Sequence, residues 1–363
     1  MMLGETYARR GEGVKEVVYS TAVRPPAGRV YAWVDSRPEG PAHQMIITLT
    51  ANAAIDKTLT VPNFVTGFRH RASQSLTLPG GKGVNVARAL RTIGQPVVAS
   101  GLVGGRTGQQ IVEGLSREGI LNDFVRIAGE SRTSTAVIDP TTLTQTEINE
   151  WGPVVTEQER QALLDKIDYL AKGAHYVIIC GSLPRKVPDD FYAEILQRIR
   201  QARCHTILDG SGDPLRHGVR AHPDFVTPNL REAEDLVGHE FHDEQDIIDA
   251  TDLIRHLGAH NVIIKTADGC YARLRHGRRL RVYHATIPLI ASVVSTVGSG
   301  DAFLAGFVAG HFQNQDPGDC LRYGLACGAA NTQLYGAGVL DPDEVETLLS
   351  TTTVDEIRAV TTA

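Results

Sequence analysis

The sequence predicts an α/β fold built on a mostly parallel sheet, with a small antiparallel flap over its carboxyl end. Three observations carry this prediction. Short runs rich in β-branched residues at 45–50, 97–103, 175–180, 205–209 and 261–265 alternate with amphipathic helical stretches, the pattern of repeated strand–helix units. Between the first strand and the first helix, alternating segments such as Thr58 to Val61 and Ser73 to Leu78 are too short for a helical crossover. Two glycine-rich turns each run directly into a small-residue helix, which is how open α/β sheets present backbone N–H groups to anions.

Taken in order, residues 1–44 carry Arg9, Arg10, Pro25, Pro26, Pro38 and Pro41 without a helical or strand period. They read as a weakly ordered extension, with Met45 a candidate functional start. The domain then spans 45–350. Flap segments are expected near 57–78 and 133–149. Helices are predicted over 83–93, 107–118, 156–171, 188–202, 244–257, 300–313, 318–333 and 342–350, and residues 351–363 are expected to be a tail.

Composition narrows the function classes. A chain of 363 residues has room for one large α/β domain. Its net charge of -6 comes with no basic face, which argues against a nucleic-acid partner. Cys180, Cys204, Cys270, Cys320 and Cys327 contain no C-x-x-C pair, so neither a zinc ribbon nor a disulfide framework is expected, and a reducing cytoplasm fits. No apolar run approaches the ~20 residues of a membrane span, so no membrane partner is expected, and the N-terminus lacks the apolar core of a secretory signal.

The most informative stretch is Ser295-Thr296-Val297-Gly298-Ser299-Gly300-Asp301-Ala302-Phe303. N–H groups at the start of the following helix, reinforced by its dipole, suit anionic oxygens, and Asp301 stands where it could accept a proton from a hydroxyl. Taken alone, Asp301 reads equally as a helix cap. Pro79-Gly80-Gly81-Lys82-Gly83-Val84-Asn85 is the second such turn. Gly81 offers a backbone contact and Asn85 an amide for sugar hydroxyls. Gly83 follows Lys82 where a P-loop requires Ser or Thr, so this is no P-loop, and a dinucleotide fingerprint is also missing. Asp56, after the first strand, could grip two hydroxyls or simply form a turn. Arg132 could offer a planar fork to a phosphate or be a solvated surface residue. Asn229 and Glu232 open another helix, with the spacing of a capping box or of a pair that orients hydrated Mg²⁺.

Together these segments resemble the ribokinase-like (PfkB) carbohydrate kinase family, and within it the hexose-phosphate kinases, from about Met45 to residue 350. Thr146-Glu147-Ile148-Asn149-Glu150-Trp151-Gly152-Pro153, Gly181-Ser182-Leu183-Pro184, Asp209-Gly210-Ser211-Gly212 and the helix from Ala326 to Asn331 occur in family order. The resemblance implies a three-layer α/β/α domain with a small β-sheet lid, often paired in a homodimer. It implies Asp301 as catalytic base and Gly298, Ser299 and Gly300 as anion hole, with Asp56, Gly81, Lys82, Asn85 and Arg132 on the sugar phosphate. Asn229, Glu232, Lys265, Gly269 and Asn331 would serve ATP, with Mg²⁺ held through water by Asn229 and Glu232. Arg69 and Arg71 in the flap could reach substrate phosphate, and Arg185 and Lys186 add cations where the family usually has Pro-Gly.

The implied reaction is ATP-dependent phosphorylation of a ketohexose phosphate, fructose 1-phosphate first and fructose 6-phosphate or tagatose 6-phosphate as alternatives. Further departures bear on this: Ala53-Ala54 replaces the proline usual before the aspartate, Thr227 stands where a lysine commonly precedes Pro-Asn, and Thr266-Ala267-Asp268-Gly269 is one glycine short in the nucleotide loop. A non-catalytic sugar-phosphate sensor on the same scaffold is the competing reading. A dinucleotide-dependent oxidoreductase fails on the missing fingerprint.

Overall fold

Residues 45–288, 290 and 293–357 are described by the computed structural model of this chain. β1 (Met45–Thr50) enters the main sheet, β2 (Ala54–Thr60) and β3 (Gln74–Gly80) leave it as a hairpin, and α1 (Lys82–Thr92), β4 (Val97–Gly104), α2 (Gly105–Arg117) and β5 (Leu121–Ile127) return to it. β6 (Arg132–Asp139) and β7 (Thr144–Asn149) make a second excursion. The chain continues through α3 (Glu157–Ala171), β8 (Ala174–Cys180), α4 (Phe191–Arg198), a 3-10 turn at Ile199–Ala202, β9 (His205–Asp209), α5 (Gly212–Val219), β10 (Phe225–Val226), α6 (Leu230–Val237), α7 (Glu244–Leu257) and β11 (Asn261–Lys265). β12 (Gly269–His276), β13 (Arg279–Thr286), α8 (Ser299–Phe312), α9 (Pro317–Thr332), α10 (Pro342–Leu349) and β14 (Thr353–Ile357) complete it.

The main sheet has the order β14-β13-β12-β11-β10-β9-β8-β1-β4-β5. It is parallel from β5 to β11 and antiparallel from there to β14. Alternation along β8 shows why the sequence reads as near-continuous apolar runs: Tyr176, Ile178 and Cys180 join the core beneath α1, α8 and α9, while Val177 and Ile179 join the core beneath α3, α4 and α7. Both faces of the strand are buried, which gives the three expected layers. The two excursions form a separate four-stranded sheet, β3-β2-β6-β7, with β2 and β6 parallel at its centre. This is the expected flap.

Three expectations change. Residues 351–363 are not simply a tail, because Thr353–Ile357 pair with β13 along its outer edge. The strands β5, β12 and β13 and the eight-residue helix α5 add to the elements read from sequence, since these stretches mix polar and apolar residues in a pattern that periodicity does not mark. The chain enters β2 without proline: Ala53 and Ala54 are both buried, and Ala54 opens the strand. The extension at 1–44 lies outside the described residues. Among the described residues no helix is long and apolar enough to cross a membrane.

Candidate active site

The carboxyl edge of the parallel strands and the inner face of the flap enclose a cleft of about 960 Å³, lined among others by Asp56, Lys82, Asn85, Arg132, Lys265 and Asp301. Its floor is the start of α8. Gly298 caps that helix at φ 83°, a left-handed backbone, and a Cβ there would stand 2.5 Å from the Ala337 Cα. Glycine is therefore required both for the turn and for the contact with the 337–338 backbone. The first-turn N–H groups of α8 lack carbonyls one turn earlier within the helix, and Gly298, Ser299 and Gly300 line the cleft beside them.

Asp301 is only 6 % exposed, and its Oδ2 accepts a hydrogen bond from Asn85 Nδ2 at 2.9 Å. Burial pushes its carboxyl up to about 7, against the pull of Lys82 and with the push of Asp209. A buried carboxylate that changes protonation near neutrality can take a proton from a hydroxyl. Asn85 is not simply a sugar-facing amide, since its Oδ1 also accepts from Arg88 Nη1 at 3.3 Å.

One wall is cationic. Asp209, at the end of β9, takes Lys82 Nζ at 2.9 Å on one oxygen and Lys265 Nζ at 3.1 Å on the other. Burial opposes ionising Asp209, yet Lys265 and Lys82 bring it down to about 2. Burial likewise opposes the Lys82 ammonium, but Asp209 first and Glu232 next hold its pKa above the ordinary lysine value. Lys265 also overhangs the start of α8, its Nζ lying 3.5 Å from where a Cβ on Gly300 would be. Asn229 and Glu232 do form a capping box on α6, each side chain accepting from the other's backbone N–H at 2.9 Å. Glu232 Oε1 nevertheless lies 3.6 Å from Lys82 Nζ, so the cap and the cleft share this residue.

The opposite wall is the flap. Asp56 is on strand β2 and not in a loop after β1, and its carboxylate packs against Gly80, where a Cβ would stand 2.0 Å from the Asp56 Cγ. Burial raises its pKa, opposed by Arg88 and Arg132 and by a hydrogen bond from the Gly81 N–H. Arg132, at the start of β6 and paired with Ala54, is half-buried in the cleft and donates from Nε to the Asn52 carbonyl at 3.3 Å. Asn52 Nδ2 in turn donates to Ser182 Oγ at 3.1 Å, tying flap and main domain together beside the cleft.

Other sequence-named residues lie elsewhere. Asn331 is fully buried, and its Nδ2 braces the 336–339 loop through the Gly336 and Val339 carbonyls, so it supports the floor without facing the cleft. Gly269 is buried in β12 opposite Thr286, while Thr266 and Ala267 before it line the cleft. Arg185 donates to the Gly152 carbonyl at 2.7 Å and supports the 152–155 segment. Lys186 and the exposed Arg69 and Arg71 do not line the cleft. Sequence reasoning missed Asp209 and Arg88 as site residues. Asp209 had a usable signal, a carboxylate at the carboxyl end of a central parallel strand. Arg88 had none, because arginine on an amphipathic helix ordinarily reads as solvated.

Comparison with known proteins agrees with this architecture. Residues 47–344 match the model of the pfkB family of carbohydrate kinases. The 1-phosphofructokinase of Borreliella burgdorferi is 32 % identical over 313 residues, covering 86 % of this chain and 99 % of the relative. That of Bacillus subtilis is 31 % identical over 287 residues, covering 79 % and 92 %. Among solved structures, phosphofructokinase-2 from Escherichia coli in complex with substrates and products superposes with a TM-score of 0.78 at 25 % identity, covering 84 % of this chain and 98 % of that one. The chain belongs to the pfkB family of carbohydrate kinases and is an ATP-dependent sugar-phosphate kinase.

Proposed function

We propose that this pfkB-family kinase converts fructose 1-phosphate and ATP to fructose 1,6-bisphosphate and ADP, with Asp301 as the base. The observation that carries this reading is one cleft with a buried, neutral-titrating carboxylate at a helix start, two lysines on one wall and Asp56 with Arg132 on the other. The acceptor hydroxyl gives its proton to Asp301 as its oxygen bonds to the γ-phosphorus, and the bond from that phosphorus to the β-phosphate oxygen breaks as ADP leaves. The N–H groups of Gly298 and Gly300 face the transferred phosphoryl, where each well-aimed donor is worth about 3 kcal/mol, while the Ser299 N–H already reaches the Thr296 carbonyl at 3.3 Å. Lys265 holds the nucleotide phosphates, and Lys82, across Asp209 from it, the sugar phosphate. Asp56 binds sugar hydroxyls and Arg132 the phosphate already on the sugar.

Among the described residues no group of three or more His, Cys, Asp or Glu side chains is arranged to hold a metal ion. This fits Mg²⁺ that arrives on the nucleotide with mostly water ligands, near Asn229 and Glu232. Bound with ATP, Mg²⁺ supplies charge neutralisation at the β- and γ-phosphates. The flap leaves Phe68, Ile148 and Trp151 exposed, and among the described residues the outer edge of its strand β7 pairs with no other strand, so we place a homodimer contact there. The five cysteines form no disulfide and are all buried, which fits a cytoplasmic setting.

The test is ADP release with Mg²⁺-ATP against fructose 1-phosphate, fructose 6-phosphate, tagatose 6-phosphate and fructose. A kcat/KM highest for fructose 1-phosphate supports the assignment. A preference for either 6-phosphate reassigns the acceptor, and no stimulation by any of the four leaves the sensor reading in its place.

A further inference from the structure

Arg88 is a buried cation that the phosphoryl-transfer scheme does not use. It is 4 % exposed, and each of its five N–H donors has a partner. Nε and Nη2 bind Glu118 at the end of α2 at 2.6 and 3.1 Å. Nη2 also reaches the Pro79 carbonyl at 2.6 Å, and Nη1 reaches the Ala337 carbonyl at 2.8 Å and Asn85 Oδ1 at 3.3 Å. One guanidinium thus joins α1, α2, the end of β3 and the 337 loop against which Gly298 packs.

We propose that Arg88 is a positioning residue for phosphoryl transfer: by engaging Asn85 Oδ1 it fixes which way the Asn85 carboxamide faces, so that Nδ2 and not the carbonyl oxygen meets Asp301. This rests on the reading of Asp301 as base. A carboxamide between a guanidinium and a carboxylate has one favourable orientation, since the reverse sets N–H against N–H on one side and oxygen against oxygen on the other. Fixed this way, the amide holds Asp301 by Oδ2. Arg88 also faces the flap carboxylate Asp56, where it is the largest influence opposing burial. Lysine cannot substitute, because its ammonium has three donors and no planar fork.

The consequence is readable in pH. Asp301 is faced by Asn85 and Lys82 from α1, Asp209 from β9, Lys265 from β11 and the Cys180 thiol from β8. Of these contacts, the Asn85 hydrogen bond favours the carboxylate and is the one that depends on Arg88. Arg88→Lys is therefore expected to lower kcat by on the order of 10²-fold through misplacement of the base, and to move the acid limb of the kcat profile to higher pH, with KM for ATP little changed. A merely structural role would scale activity equally at every pH with the folded fraction.

The experiment measures kcat and KM from pH 5.5 to 9 for wild type, Arg88→Lys, Glu118→Gln and Asn85→Ala, with circular dichroism to confirm folding, and Asp301→Asn alongside. The proposal expects the first three variants to shift the acid limb in the same direction, Glu118→Gln least. If Arg88→Lys does not fold, Glu118→Gln and Asn85→Ala carry the test. Folded variants with an unshifted limb overturn the positioning role while Asp301→Asn remains inactive. An active Asp301→Asn overturns the base reading itself.

Discussion

Ionising Asp301 in its buried site costs free energy that ionising it in the unfolded chain does not. Its folded pKa, about 7, lies above the ordinary 3.8, so its contribution to stability is fully present below the unfolded value and is lost as pH rises through about 7. A shift of this size is worth up to about 4 kcal/mol. Asp301→Asn is accordingly expected to lower kcat by about 10²- to 10⁴-fold and yet to raise the thermal midpoint at pH 8, with little gain at pH 4. Calorimetry at the two values checks this, and an equal gain at both would refute it. Asp209 has the opposite sign. Its folded pKa is depressed to about 2, so its stabilisation is present above the unfolded value and is lost as pH falls through about 2. Asp209→Asn leaves Lys82 and Lys265 facing each other with no carboxylate between them. About 3 kcal/mol of stability at pH 7 should go with it, together with a raised KM for ATP, read by denaturant unfolding and initial rates.

Among the described residues two helices carry complete capping boxes, one of them at the cleft. Thr156 and Glu159 cap α3 on the outside of the molecule, whereas Asn229 and Glu232 cap α6 against Lys82. Thr156→Ala should cost about 1 kcal/mol of stability and leave kcat/KM untouched, while Asn229→Ala should cost a similar amount and also raise KM for ATP. Urea midpoints and nucleotide titrations separate the two, and matching kinetics would remove Asn229 from the nucleotide site. At α8 the backbone decides. Gly298→Ala must hold a left-handed φ and force a Cβ onto the Ala337 backbone, so it should lose several kcal/mol of stability and most of its activity.

At the scale of the whole molecule, the flap completes the cleft by bringing Asp56, Arg132 and Glu147 over the sheet edge. Gln145 on β7 accepts from Ser295 Oγ at 3.1 Å, linking the flap to the segment that leads into α8. Because Ile148 and Trp151 remain exposed on that side, the homodimer proposed at the flap predicts that wild type sediments as a dimer and Ile148→Lys as a monomer in analytical ultracentrifugation, and equal sedimentation coefficients would refute that contact. The sequence by itself determined the alternating strand–helix order, the flap interrupting the first unit and the two glycine turns, because these rest on local periodicity and on backbone conformations that few residues can adopt. It also placed Asp301, since a carboxylate beside a glycine turn at a helix start is a local arrangement. The partners were decided by tertiary structure. Asp209 lies 127 residues from Lys82, Asn85 lies 216 from Asp301, and Arg88 lies 249 from Ala337, and no local pattern records such pairings. Asn331 and Gly269 turned out to support the site from behind for the same reason: whether a side chain faces a cleft or a core depends on which segment packs against it.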